Sequence, residues 1–458
     1  MYMLNYNYML AMVKMVLILF ITITFSCLFP DLNYIGVWIG GVIWVYYIVY
    51  TFTTMPKFFF SMLLIIVPYT FAVLSEFVFE LIPSFSPEML IDTFLTGGLL
   101  RLVFYYLIFF MAAYIVFINT EKRTLLGSLN TYEKYIGYSL YFVVVVLMIT
   151  AYYLYGIPVF NEMTRFEFWQ GDAGEDPLIK FGRNQMPLCV VFFSLLYYKY
   201  PRKSLAGILG IIIILVLGST KFSELLHVII IFVVVYNFQH NVEFNKKVYL
   251  KILFGCVTFI LITGSLVYYH YTDLVNNISI PVEDLLLMRF TEQGQVWWYI
   301  DNQMNLAGNM EHVGEFFNEI KGWFQFRQDD FDVMHLGIYK MMEVMRGQEY
   351  VVRRVISGSQ FTEGYPAIGL YYFGYVGLVF CQIILGGLYG VWARKFYIAV
   401  REFDLISCLL YYKIWGGLNQ AVAMGNFYEL LRPALLLYLV MLYGISIWRK
   451  RKKNIEIL

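Results

Sequence analysis

Runs of roughly twenty predominantly apolar residues recur along most of this 458-residue chain, and roughly twenty is the length an α-helix needs to cross a bilayer. Backbone N–H and C=O groups facing lipid must pair within the segment. A continuous apolar run therefore reads as a helix, whereas a barrel strand would alternate. Composition agrees: 60% of residues are hydrophobic and 14% charged, where a soluble domain is nearer half apolar and a quarter charged. The reading is an all-α polytopic integral membrane protein of about 12 spans, at 9–29, 33–53, 58–81, 94–118, 136–156, 183–199, 205–219, 222–238, 252–271, 364–390, 405–425 and 428–448. The first run is too long for a signal-peptide core and lacks a small-residue cleavage pattern, so it is expected to stay as a span.

Lysine and arginine in short loops orient such a protein, because they are retained on the cytoplasmic side. Lys122, Arg123 and Lys134 fall on one side with Lys199, Arg202 and Lys203, with Lys246, Lys247 and Lys251, with Arg394, Lys395 and Arg401, and with the basic tail from Trp448 to Lys453. Both termini are then expected in the cytoplasm. The organisation that follows has three parts: helices 1–9 over 1–271 with a short outer loop near 157–182, a large, partly helical outer loop over 272–363, and helices 10–12 with the basic tail over 364–458. Loops of that length in a compact protein usually carry function.

A net charge of +1 points to no polyanion, so nucleic acid is not an expected partner. Cys27, Cys189, Cys256, Cys381 and Cys408 all lie in apolar runs, which argues against a disulfide framework or a metal cluster and suggests small buried side chains. No Gly-rich phosphate loop, HExxH or GxSxG stands in a suitable context. The acidic run "RQDDFD" (Arg327 to Asp332) reads as a solvated loop. Neither a metal nor a cofactor is expected.

Charge gathers instead at the outer helix ends. In "GSTKFSELLH" (Gly218 to His227), Lys221, Glu224 and His227 recur every third residue at the start of a span, where unpaired N–H groups and the lysine together favour an anion. A lysine snorkelling to headgroups beside Glu224 is the structural alternative. Arg183 and Gln185 open the sixth span within "FGRNQMP"; an arginine there grips phosphate oxygens bidentately, or merely flanks the helix. Arg101 lies inside an apolar run, which marks a functional site by default, with Glu76 or Glu80 as structural partners. In the long loop, Arg289, Glu292 and Gln293 share one helical face beside Trp297 and Trp298, an arrangement suited to a sugar or to a surface helix anchored by tryptophan. His335, Arg353 and Glu363 complete the set of chemically able residues near the return to the membrane.

The layout resembles the Wzy-type oligosaccharide repeat-unit polymerases, or O-antigen polymerases, of bacterial envelopes. The resemblance covers nearly the whole chain in topology. In sequence it is local, resting on "GSTKFSELL", on the arginine-and-glutamine face of "RFTEQGQVWW", on "SQFTEGYPAIGLYYFGYVG" (Ser359 to Gly377) and on the spacing of Arg353 and Gly364. It implies a GT-C-like membrane glycosyltransferase in the bacterial inner membrane, with its active site on the periplasmic side. Such an enzyme moves a growing glycan from undecaprenyl diphosphate onto an incoming lipid-linked repeat unit, inverting and without metal. Expected partners are undecaprenyl-diphosphate-linked oligosaccharides, membrane lipid, a chain-length regulator and a flippase. On this reading Arg183, Lys221 and Arg289, with Arg101 and Arg353 in support, hold the diphosphate. Glu292, Glu224, His335 or Glu363 supplies the general base or orients the acceptor, Gln293 contributes to binding, and Trp297 and Trp298 line the sugar path. An O-antigen ligase and a lipid-linked oligosaccharide flippase remain the alternatives.

Overall fold

The computed structural model describes residues 2–82, 85–86, 89, 91–118, 128–161, 168–169, 171–218, 222–240, 294–307, 312–323, 335–356, 361 and 363–457. Regular structure among them is helical, apart from a two-residue antiparallel strand pair, Phe85–Ser86 with Ile91–Asp92. The helices are α1 (Tyr2–Leu28), α2 (Asn33–Thr54), α3 (Pro56–Leu81), α4 (Gly98–Phe117), α5 (Thr131–Tyr155), α6 (Pro177–Tyr197), α7 (Pro201–Leu217), α8 (Phe222–His240), α9 (Gln295–Ala307), α10 (Val313–Trp323), α11 (Gly337–Arg346), α12 (Gln348–Ile356), α13 (Ala367–Arg401), α14 (Leu405–Val422) and α15 (Pro433–Ile457). A single further turn, Asp172–Glu175, precedes α6.

Local chemistry sets the helix starts. Pro56, Pro177 and Pro201 open α3, α6 and α7, where the missing proline N–H would have no helical acceptor anyway. Asp176 caps α6 by accepting from the N–H groups of Leu178 (2.8 Å) and Ile179 (3.2 Å). Asn130 and Glu133 form a reciprocal capping box on α5, and Asp404 accepts from Ser407 N at the head of α14. Each such cap is worth about 1 kcal/mol.

Among the described residues, six helical stretches are long and apolar enough to cross a membrane: Tyr6–Leu28, Pro30–Thr54, Pro56–Leu81, Gly98–Phe117, Thr131–Tyr155 and Ala367–Arg401. Shorter apolar stretches, Glu224–His240 and Pro433–Ile447, lie in α8 and α15. The expectation of about 12 spans is met in part, for physical reasons. Helix α7 has only 17 residues, α6 carries Arg183, Asn184 and Gln185, and α14 carries Lys413, Asn419 and Gln420. The run expected at 252–271 lies outside the described residues.

Helix α4 is the centre of the bundle and is buried along almost its entire length. It runs against α13, where Gly386 and Gly390, four residues apart, face the carbonyls of Phe109 and Ala113 so closely that a methyl group at either would overlap backbone. Small residues at that spacing let two membrane helices approach. Large apolar side chains such as Phe20, Val42, Phe142 and Val440 are exposed on α1, α2, α5 and α15, a surface suited to lipid rather than water. Cys189 and Cys408 are buried as expected, whereas Cys27 is exposed on α1.

Helix α10 docks on this bundle through polar contacts. The Glu319 carboxylate of α10 accepts from Tyr372 Oη (2.8 Å) and Tyr428 N (3.3 Å), and Glu315 accepts from Tyr371 Oη (3.1 Å). Burial pushes the Glu319 carboxyl up to about 7. Glu315, also facing Lys340 Nζ at 2.9 Å, is held below the usual carboxylate range although its partial burial opposes this.

Candidate functional site

Helices α6, α8 and α14 enclose an open cavity of about 300 Å³, lined by Arg183, Asn184, Pro187, Glu224, Tyr412, Lys413 and Gly416. Arg183 stands on the second turn of α6, and its guanidinium lies 4.3 Å from the Trp169 ring centroid. That ring is fixed in turn by its Nε1–H, which donates to the Gly218 carbonyl at 2.8 Å. The guanidinium donates to Glu224 Oε1 at 2.7 Å. Lys413 Nζ donates to the Asn184 carbonyl at 3.1 Å, so a second cation enters the same groove from α14. Tyr412 Oη and His227 Nε2 share a hydrogen bond of 3.2 Å, and the His227 ring meets Trp415 edge-on at 4.6 Å.

Two features keep the groove open. A Cβ at Gly416 would meet nothing within 4 Å. Pro187 has no N–H for the Arg183 carbonyl four residues earlier, so that turn of α6 is loosened. The Arg183 and Glu224 side chains are 28% and 33% exposed, a setting in which an ion pair contributes about 1 kcal/mol or less. Arg183 can therefore exchange Glu224 for an incoming anion at small cost. Two cations beside an aromatic ring, a carboxylate and a phenol are groups able to hold a phosphorylated ligand. Among the described residues no group of His, Cys, Asp and Glu has a metal-binding arrangement.

The structure thus joins Arg183 and Glu224, adds Lys413 and Tyr412 to the lining, and sets His227 behind it, bonded to Tyr412. Helix α8 begins at Phe222; Lys221, directly before it, lies outside the described residues, as do Arg289, Glu292 and Gln293. The other expected site residues are elsewhere. Arg101 is buried and bonded not to Glu76 or Glu80 but to Asp301 of α9, with Nε donating to Oδ1 at 2.8 Å. Tyr375 Oη donates to the same Asp301 oxygen at 3.2 Å. Trp297 and Trp298 are buried too, and their indole N–H groups donate to the carbonyls of Gly98 (2.9 Å) and Phe94 (3.0 Å). They anchor α9 to the bundle rather than line a sugar path. His335 is exposed beside Glu343, and Arg353 pairs with Glu349 one turn back on α12, facing solvent. Glu363 is buried ahead of α13, and its surroundings hold its carboxyl well above the usual range.

Lys413 carries a signal that sequence reasoning passed over. It is a lone cation inside the apolar run "CLLYYKIWGG", the same pattern that singled out Arg101. Tyr412 carries none, since tyrosine is abundant throughout.

Comparison with known proteins finds one similarity, confined to part of the chain. Residues 333–439 match a family of unknown function (DUF6418), a region under a quarter of the chain that runs from α11 into α15 and includes the α14 wall of the groove. No curated protein and no solved structure matches the chain.

Proposed function

We propose that the protein is a membrane glycosyltransferase that polymerises undecaprenyl-diphosphate-linked repeat units, transferring the growing glycan to an incoming lipid-linked repeat at the outer face of the bacterial inner membrane. The observation that carries this reading is the convergence of Arg183 and Lys413, from helices more than 200 residues apart in sequence, on one groove between α6, α8 and α14. In such a transfer an acceptor hydroxyl attacks the anomeric carbon, and the bond to the lipid diphosphate breaks with its electron pair leaving on the phosphate oxygen. Fixed cations stabilise that departing charge. Arg183 and Lys413 are assigned to the diphosphate, with Lys221 and Arg289 as the further cations of the resemblance. Glu224, released when Arg183 turns to the phosphate, takes the acceptor proton. Direct displacement gives inversion. On this reading the groove faces the outer side and both termini lie in the cytoplasm, with about 12 spans in a GT-C-like arrangement, as the basic loops of the sequence suggest.

Deleting the gene and resolving the surface glycan on a gel tests the assignment. A polymerase deletion leaves core capped by a single repeat. Core bearing no repeat would favour the ligase, and absence of exported repeats the flippase. Arg183→Ala and Lys413→Ala should each remove long chains at normal protein level, and retention of long chains in both would exclude the groove as the site.

A further inference from the structure

Next to the Arg101–Asp301 pair, at the start of α4, lies a buried carboxyl that the groove does not use. Glu76, on the membrane-crossing helix α3, is fully buried, and neither of its side-chain oxygens meets a donor among the described residues. Two glycines from distant parts of the chain make room for it. A Cβ on Gly98, the first residue of α4, would stand 2.6 Å from Glu76 Oε1 and 3.2 Å from Asp301 Oδ2, so the two carboxyls border the same small space. A Cβ on Gly294, directly before α9, would stand 3.2 Å from Glu76 Oε2. The nearby donors serve other acceptors. Gly98 N and the Thr96 hydroxyl both donate to Glu80 Oε1, the hydroxyl at 2.8 Å. Gly294 N donates to Ser75 Oγ at 2.8 Å, and Arg101 donates to Asp301 and to the Thr96 carbonyl.

Three carboxyls, Glu76 and Glu80 of α3 and Asp301 of α9, thus gather around one guanidinium, that of Arg101 on α4. Asp301 has the arginine and Glu80 has two hydrogen bonds, whereas Glu76 has neither. A buried charge without a counter-charge or a donor is too costly to persist, and the group neutralises instead. A metal ion would need several oxygens arranged around it, and among the described residues no such arrangement exists. A proton needs no cavity. We propose that Glu76 is a proton-binding site, its carboxyl neutral and its O–H on Oε1 facing Asp301 Oδ2. Release of that proton would set a second carboxylate beside Asp301 and compete for Arg101, so the seating of α9 on α4 depends on the proton staying bound. The site shares no residue with the groove and does not depend on the reaction performed there.

Solid-state carbon NMR of the full-length protein in lipid bilayers, isotopically labelled at the glutamate side-chain carboxyl carbons, tests this at pH 7. The resonance that disappears in Glu76→Gln belongs to Glu76. In the wild-type protein it should lie at the carboxylic-acid position, several ppm upfield of the ionised glutamates. If Glu76→Gln does not fold, Glu76→Met identifies the same resonance. A Glu76 resonance at the carboxylate position would overturn the proposal.

Discussion

Two arginine–carboxylate pairs stand in this bundle with the same chemistry and opposite circumstances. Arg101–Asp301 is closed off, with side-chain exposures of 9% and 0%, whereas Arg183–Glu224 keeps 28% and 33%. Arg101 donates through two of its nitrogens to Asp301 and also to the Thr96 carbonyl. Its charge is committed, and it fastens α9 to α4. Arg183 rests on Trp169 with a single carboxylate contact beside an open cavity, so its charge remains available to a ligand. An arginine in an apolar run is thus a clue to importance, and its exposure decides between anchoring and binding.

The largest expected effect lies at the closed pair. Asp301→Ala leaves a buried guanidinium without its counter-charge and should destabilise the protein by about 3–5 kcal/mol, read from thermal unfolding in detergent. Replacing both partners, Arg101→Met with Asp301→Leu, should recover much of that loss. A single substitution that left stability unchanged would erase the contrast between the pairs.

Next in size is the dependence on pH at Glu319. Its folded-state value of about 7 lies above the ordinary carboxylate value, so its protonated form favours docking of α10. That contribution is fully present below about pH 4.5 and is lost as pH rises through 7, amounting to roughly 3 kcal/mol at most. Amide exchange of α10 should accelerate from pH 5 to 8 after correction for intrinsic rates, and Glu319→Gln should flatten the response.

At the open pair, Glu224→Gln should alter stability by about 1 kcal/mol or less while sharply reducing glycan chain extension in cells. Arg183→Lys should fail to restore extension, because an ammonium lacks the planar fork that grips two phosphate oxygens. The smallest effect belongs to Arg353→Ala on α12. This solvent-facing pair with Glu349 should change unfolding by less than about 0.5 kcal/mol and leave chain length as it was.

Most of the helices were legible in the sequence because the bilayer writes its thickness into apolar run lengths. Pairing across the bundle was not. Asp301 lies 200 residues from Arg101 in a polar loop, and nothing local to either marks the other. Glu76 and Glu80 seemed nearer choices by span, yet Glu80 accepts from Thr96 and Gly98, and neither oxygen of Glu76 meets a donor among the described residues. Trp297 and Trp298 suited a sugar by residue type, but carbonyl partners on the 94–98 stretch claim their N–H groups. In the groove, Arg183 and Glu224 could be named from their helix starts, while Lys413 needed the fold to bring α14 beside α6.

Binding of a lipid diphosphate in the groove is tested most directly by native mass spectrometry of the purified protein with undecaprenyl diphosphate. The wild-type protein should retain the lipid, and Arg183→Ala combined with Lys413→Ala should weaken retention by at least an order of magnitude without loss of folded protein. Equal retention by the two proteins would contradict it.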